Sequence, residues 1–111
     1  MGLKFHTYQS EARKTAIYPN VGHNLVYPTL GLNGEAGEIA EKVKKLLRDD
    51  DGKRTREFRE QMKKELGDVL WYVAAICTEM GFSMGNVAKE NLGKLNSRAE
   101  RDVLSGSGDD R

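Results

Sequence analysis

Two pairs of carboxylates stand out, because each pair lies in line with the apolar side chains of a predicted helix. Glu35 and Glu38 belong to LNGEAGEIAEKVKK, and Glu65 and Asp68 belong to KKELGDVLWYVAAI. In both segments apolar residues recur at steps of three and four, which is the spacing of an amphipathic helix. A carboxylate turned toward a core is costly unless a cation compensates its charge. Both pairs are therefore candidates for one shared site.

A hard divalent cation is the expected partner of four converging carboxylates. Oxygen ligands suit Mg²⁺, for which Mn²⁺ is the expected substitute. Zinc is disfavoured because neither His6 nor His23 lies at ligand spacing with a cysteine. A di-iron site would need a histidine three residues after a glutamate, and neither histidine has that spacing.

The alternative is that both acid pairs lie on solvated helix faces. Glu38 would then pair with Lys42, and Lys64 with Asp68, in ordinary exposed ion pairs of small energetic value. A single acidic pair would be weak evidence for a metal site. Two pairs on consecutive helices, both in line with apolar residues, favour the metal site.

The apolar spacing predicts an all-α protein with a four-helix-bundle-like fold, and no segment alternates with period two. Thr55 and Ser83 are predicted to cap the third and fourth helices, and Gly81 to end the third. A single catalytic domain is predicted over residues 1–104, followed by a flexible tail at 105–111. The predicted helices cover residues 5–17, 28–48, 56–80 and 84–104.

Composition excludes several classes of protein. With 111 residues and a formal net charge of +1, the chain lacks the basic footprint of a nucleic-acid-binding protein. No apolar run is long enough to cross a membrane, and the N-terminus lacks the apolar core of a secretory signal. The single cysteine, Cys77, is predicted to be a buried thiol, and a cytoplasmic location is expected. A chain of this length has a thin core, so a homodimer or homotetramer is expected.

The two acidic segments resemble the MazG-like all-α nucleoside triphosphate pyrophosphohydrolases. The mark of that family is Glu-x-x-Glu, a spacer, and then Glu-x-x-Asp on paired helices, which Glu35, Glu38, Glu65 and Asp68 match in type and order. YQSEARKTAIYP resembles the usual first helix of the family. ENLGKLNSRAERDVLSGSGDDR resembles a C-terminal form found in its short members.

The resemblance implies hydrolysis of a nucleoside triphosphate between its α- and β-phosphates, giving a nucleoside monophosphate and pyrophosphate. It implies that all four carboxylates bind the metal. Magnesium would neutralise phosphate charge and make a bound water more acidic. Glu38 is the predicted catalytic base that takes the proton of the water.

Substrate contacts are predicted on the third and fourth helices. Asn91, Lys94 and Arg98 recur at i, i+3 and i+7, and the cationic groups among them are predicted to meet the phosphates. The resemblance to the family implies that Asn91 and Lys94 contact the phosphates or the base, although a solvated helix face would show the same residues. Tyr72, one turn beyond Asp68, is predicted to stack on the base, the alternative being a core tyrosine. Trp71 points differently and is predicted to be a packing or subunit contact.

Two other functions stay open from the sequence. The first is a hydrolase of the same superfamily that is specific for deoxyuridine nucleotides. The second is a helical nucleotide-binding or interaction protein without catalysis. The intact acid pairs count against the second, because a bundle without catalysis gains nothing from four clustered acids.

Overall fold

The computed structural model describes residues 2–111, which form four α-helices joined by loops. Within this range no β-strand occurs, and the predicted all-α fold is confirmed. None of the described helices combines the length and the apolar character that crossing a bilayer requires. The helices are α1 (Phe5–Arg13), α2 (Val26–Asp49), α3 (Arg56–Met80) and α4 (Met84–Glu100).

The helix caps lie where the sequence placed them. The Thr55 hydroxyl accepts a hydrogen bond from the Phe58 N–H at 3.1 Å, and the Ser83 hydroxyl accepts one from the Asn86 N–H at 3.3 Å. Each satisfies an N–H that the first turn of a helix leaves free. Gly81 ends α3 in the left-handed conformation, with φ 73°, which glycine adopts without a Cβ clash.

Two helices are shorter than predicted. α1 ends at Arg13 rather than near residue 17, since the N–H groups of the next residues, Thr15 and Ala16, bond three residues back in a turn. α4 ends at Glu100 rather than near residue 104. There Asp102 takes a positive φ of 58°, which stops the helical path.

α2 and α3, joined by the loop 50–55, form the most extensive helix pair, and α1 packs on both α3 and α4. Because the connecting loop is short, α2 and α3 run antiparallel. The small core contains Ala74, Cys77 and Met84 and receives Tyr8 from α1. The thiol of Cys77 is buried, as predicted, and its burial raises the pKa of the thiol.

A buried carboxylate fastens the loop between α1 and α2 to the end of α3. Glu79 accepts hydrogen bonds from the Tyr18 hydroxyl, from Arg13 at 3.0 Å and from the N–H groups of Gly22 and Asn24 at 2.8 and 3.0 Å. Burial alone would raise the pKa of Glu79, but these hydrogen bonds lower it to about 2. The anchored loop leads directly into the N-terminus of α2.

Candidate active site

Three of the four predicted carboxylates meet between α2 and α3. One oxygen from each of Glu35, Glu65 and Asp68 lies within 4.8 Å of the others. Glu65 and Asp68 are three residues apart on α3 and therefore share a helix face. The antiparallel packing of α2 on α3 brings Glu35 opposite that face.

The cluster carries more negative charge than its surroundings neutralise. Burial is the largest cause of a raised pKa of Glu35, and the close approach of the Glu65 carboxyl and the negative charges of Asp68, Glu65 and Glu38 act in the same direction. Glu65 Oε1 lies 3.9 Å from Lys42 Nζ, whereas the buried Glu65 Oε2 has no hydrogen-bond partner among residues 2–111. Oxygen-only donors, excess negative charge and an unpartnered buried acceptor fit a hard divalent cation.

Glu38 lies outside this group of three. It is exposed and lines a separate cavity of about 360 Å³ together with Lys42, Lys45 and Gln61. Its charge still contributes to the raised pKa of Glu35, one turn earlier on α2. The roles of Glu38 as a metal ligand and as a base therefore stay predictions.

A cavity of about 370 Å³ adjoins the carboxylates and has aromatic walls. Glu35 and Asp68 line it together with Thr15, Trp71 and Tyr72. The Trp71 Nε1–H donates to the Thr15 hydroxyl at 2.8 Å, and the Trp71 ring meets the Tyr72 ring edge-on at 5.0 Å between centroids. Trp71, expected at a packing or subunit contact, thus lies beside the acids. Its position three residues after Asp68 is the sequence signal for this placement.

Tyr72 is wedged between the two helices. A Cβ added to Gly31 of α2 would lie 2.2 Å from the Tyr72 Cε1 atom, so only glycine permits this approach. Burial, followed by the charges of Tyr27, Glu35 and Asp68, raises the pKa of the Tyr72 hydroxyl. The hydroxyl therefore stays protonated beside the acids. The ring is half-buried and also lines the cavity, so both predicted roles, core packing and base stacking, remain compatible with its position.

Comparison with known proteins places this arrangement in a family. Residues 28–102, which include all four predicted carboxylates, match the MazG nucleotide pyrophosphohydrolase domain. The chain belongs to the MazG nucleotide pyrophosphohydrolase family. The chain is also 51% identical over 109 residues to the Gene 37 protein of Mycobacterium phage L5, an alignment that covers 94% of this chain and 96% of that relative. Among solved structures, none matches the chain significantly.

The charge of one site carboxylate also reaches a side chain of α1. Tyr8 is half-buried against the core, and burial followed by the negative charge of Asp68 raises the pKa of its hydroxyl. Tyr8 is thus a side chain of α1 that the charge of Asp68 influences. It lies in line with ordinary apolar residues of α1, so its spacing gave no signal of this position.

Two of the three predicted contacts on α4, Lys94 and Arg98, meet the C-terminal tail of the MazG chain. Lys94 Nζ lies 2.9 Å from Asp109 Oδ1, and Arg98 Nη2 donates to the Asp109 carbonyl at 2.6 Å. Arg98 is buried and Asn91 is exposed. Both cations are therefore engaged by the tail, and their contact with a substrate stays a prediction. The predicted flexibility of the tail at residues 105–111 also stays a prediction.

Proposed function

We propose that the chain is a metal-dependent nucleoside triphosphate pyrophosphohydrolase that cleaves between the α- and β-phosphates. One observation carries the proposal: three carboxylates converge, one of them with an unpartnered buried oxygen, and two of them, Glu35 and Asp68, line a cavity walled by Trp71 and Tyr72. Oxygen ligands for a cation and aromatic faces for a base are the two kinds of group that a nucleotide requires. Membership of the MazG family supports the assignment.

Glu35, Glu65 and Asp68 would hold the cation, for which Mg²⁺ is the expected choice and Mn²⁺ the substitute. Such a cation supplies neutralisation of phosphate charge and a more acidic water. Lys42, 3.9 Å from Glu65, offsets part of the charge of the cluster before a cation binds. Glu38 remains outside the three ligands and is therefore available to accept a proton as the base.

The aromatic side chains would orient the substrate. Trp71 is held by its hydrogen bond to Thr15, and Tyr72 is held against Gly31. Rings whose orientation is fixed in this way offer a base a preformed stacking surface, which lowers the entropic cost of binding. With the triphosphate directed toward the carboxylates, positioning and charge stabilisation supply most of the catalysis.

Hydrolysis of a panel of nucleoside triphosphates in H₂¹⁸O with millimolar Mg²⁺ tests the reaction. The expected products are monophosphate and pyrophosphate in equal amounts, with the label in the monophosphate alone. Nucleoside diphosphate plus free phosphate would mean that a different bond is broken. Turnover confined to deoxyuridine nucleotides would identify the narrower hydrolase, and tight binding without turnover would identify the protein without catalysis.

Asp68→Asn is the matched test of the carboxylate site, because it keeps the shape of the side chain and removes the charge. We expect kcat to fall by orders of magnitude, as when a metal ligand is mispositioned. Glu90→Gln removes one charge from the exposed surface of α4 and should leave kcat unchanged. Equal activity of the two variants would reject the site.

We also propose that the chain forms a homodimer or homotetramer, because a single chain exposes more surface than a compact monomer of its mass. Its accessible surface is 8442 Å², against about 6,100 Å² for a compact monomer of this mass. Its radius of gyration is 16.9 Å, against about 13 Å for a compact domain of this length. Exposed apolar side chains occur on all four helices, and they include Phe5, Leu30, Leu47, Leu66 and Leu92.

The difference between the accessible surface of the chain and that of a compact monomer is larger than the roughly 800 Å² that each partner buries in a standard interface. A second copy of the chain is therefore the expected cover for these apolar side chains. Sedimentation equilibrium measures the mass directly. A monomer of 12.4 kDa at micromolar concentration would reject the oligomer and leave the proposed reaction untouched.

A further inference from the structure

The tail that follows α4 folds back and places a carboxylate against two cations. Asp109 Oδ1 lies 2.9 Å from Lys94 Nζ and 3.4 Å from Arg98 Nη2, and the Asp109 carbonyl accepts from Arg98 at 2.6 Å. The Arg98 side chain is 5% exposed, whereas that of Asp109 is 83% exposed. An exposed carboxylate thus covers a buried guanidinium.

Several bonds within the tail hold it in this position. The Arg111 guanidinium donates to the carbonyl groups of Val103 at 3.1 Å and Leu104 at 2.9 Å, and Arg101 donates to the carbonyl of Arg111 at 2.7 Å. Gly106 takes a φ of 118°, a conformation that side-chain-bearing residues rarely adopt. The sequence of the tail therefore specifies a loop that returns to α4.

The contact with Asp109 leaves a buried nitrogen of the Arg98 guanidinium without a hydrogen bond to the described residues. Arg98 Nε is buried and has no hydrogen-bond partner among residues 2–111. Nε and Nη2 lie on one edge of the guanidinium plane, which matches the two oxygens of a carboxylate or a phosphate. Asp109 meets that edge at Nη2 alone. A phosphate group has enough oxygens to accept from Nε, Nη2 and Lys94 together.

The Asp109 carboxylate is negatively charged, as a phosphate group is. The hydrogen bond and charge of Lys94, followed by the hydrogen bond of Arg98, hold the pKa of Asp109 below its usual range. Its pairing with Lys94 is open to solvent, and exposed pairs of this kind contribute little to stability. An anion that binds the buried edge of Arg98 more completely should therefore displace it.

Lys94 and Arg98, already predicted to meet the phosphates, are called the oxyanion site. We propose that Asp109 occupies this site in the free protein and that a phosphate group displaces Asp109 from it. The identity of the ligand as a phosphate of a nucleotide or of released pyrophosphate rests on the proposed function. The tail acts as an internal competitor, so the measured affinity is the intrinsic affinity reduced by the fraction of molecules in which the site is open.

Calorimetric titration of the full chain with sodium pyrophosphate, without metal and at constant ionic strength, tests the site. Asp109→Asn removes the competing charge, and we expect it to tighten pyrophosphate binding about fivefold or more. Asp110→Asn makes the same charge change one residue later and should bind as the wild type does. Lys94→Gln, at a partly exposed position, should weaken binding. Equal affinities of the Asp109 and Asp110 variants would overturn the proposal.

A second measurement follows the tail itself. We expect pyrophosphate to lower the ¹H–¹⁵N heteronuclear NOE of the Gly106 and Gly108 amides in the wild type, because displacement frees the loop. Unchanged values at saturating pyrophosphate would overturn the displacement. Tighter binding by Asp109→Asn without turnover of any triphosphate would support the oxyanion site and reject the hydrolase. If the protein hydrolyses triphosphates but Asp109→Asn and Asp110→Asn bind pyrophosphate equally, the tail is not a competitor and the proposed hydrolase is unaffected.

Discussion

Gly31 of α2 lies so close to Tyr72 of α3 that a Cβ at residue 31 would stand 2.2 Å from the Tyr72 Cε1 atom. Glu35 follows Gly31 by one helical turn, and Asp68 precedes Tyr72 by one turn, so the close approach lies next to the carboxylates. The glycine therefore sets the separation of the helices at the point where the acids converge. This relationship connects a packing contact directly to the geometry of the site.

Gly31→Ala should force α2 and α3 apart or displace the Tyr72 ring, which costs about 1–3 kcal/mol when a packed site is overfilled. Gly34→Ala is the matched control, since a Cβ there meets nothing within 4 Å. In the interior of a helix this control should stabilise by about 0.5–1 kcal/mol. Thermal denaturation of both variants measures the difference. A Gly31→Ala protein as stable as the Gly34→Ala protein would contradict the close contact.

Glu79 should make the free energy of unfolding depend on pH in the acidic range. Its folded pKa of about 2 lies below the ordinary value of 4.5, so its stabilisation is complete above pH 4.5 and is lost as the pH falls toward 2. The shift corresponds to about 3 kcal/mol. Glu79→Gln should therefore lower the free energy of unfolding by about that amount near neutral pH, and the difference from wild type should shrink below pH 4.5.

Urea denaturation from pH 7 to pH 3 makes this comparison. Glu11→Gln serves as the control, because Glu11 is exposed and forms a surface ion pair with Lys14, and it should change stability little at any pH. A constant difference between wild type and Glu79→Gln across this range would mean that the carboxylate does not stabilise the loop through its charge.

Local spacing was sufficient to predict the helices and most of the acidic cluster. The caps at Thr55 and Ser83 depend on neighbours three residues away, and Glu65 and Asp68 share a face because they lie on one helix. The place of Glu38 could not be predicted in the same way. Whether it points toward α3 or away from it depends on the rotation of α2 about its axis, which tertiary packing determines.

Contacts between residues distant in the chain were also beyond the sequence. Glu79 is joined to Arg13 and Tyr18, more than sixty residues earlier, and no local periodicity encodes that network. Lys94, whose contact with the substrate stays a prediction, also meets the tail, because a chain reversal after α4 brings Asp109 beside it. Such placements follow from the path of the loops rather than from helical spacing.

Metal should stabilise the protein, because a cation relieves the repulsion among Glu35, Glu65 and Asp68. At ten times its Kd, a ligand that binds the folded state raises the free energy of unfolding by about 1.4 kcal/mol. Thermal denaturation with and without Mg²⁺ at low ionic strength measures this. Glu65→Gln should raise the melting temperature of the metal-free protein and diminish its response to metal.

Glu60→Gln is the control for that response. Glu60 lies on the same helix, is exposed and pairs with Arg56, so its loss should leave the shift caused by Mg²⁺ intact. An identical shift in the Glu60 and Glu65 variants would show that the cation does not bind at the cluster. Replacing Mg²⁺ with Mn²⁺ should give a shift of the same sign in the wild type.

Tyr72 should affect the binding of substrate more than its turnover, if its ring stacks on the base. Stacking is present in both the ground state and the transition state, so Tyr72→Ala should raise KM with a smaller change in kcat. The expected rise is about fivefold or more, since stacking on an aromatic ring contributes about 1–3 kcal/mol per base. Tyr72→Phe keeps the ring and loses only the hydroxyl, so its KM should stay close to that of the wild type. Steady-state kinetics on the preferred triphosphate separate the two constants. A folded Tyr72→Ala protein with wild-type KM would assign the ring to packing against Gly31 and leave Trp71 as the stacking surface of the cavity.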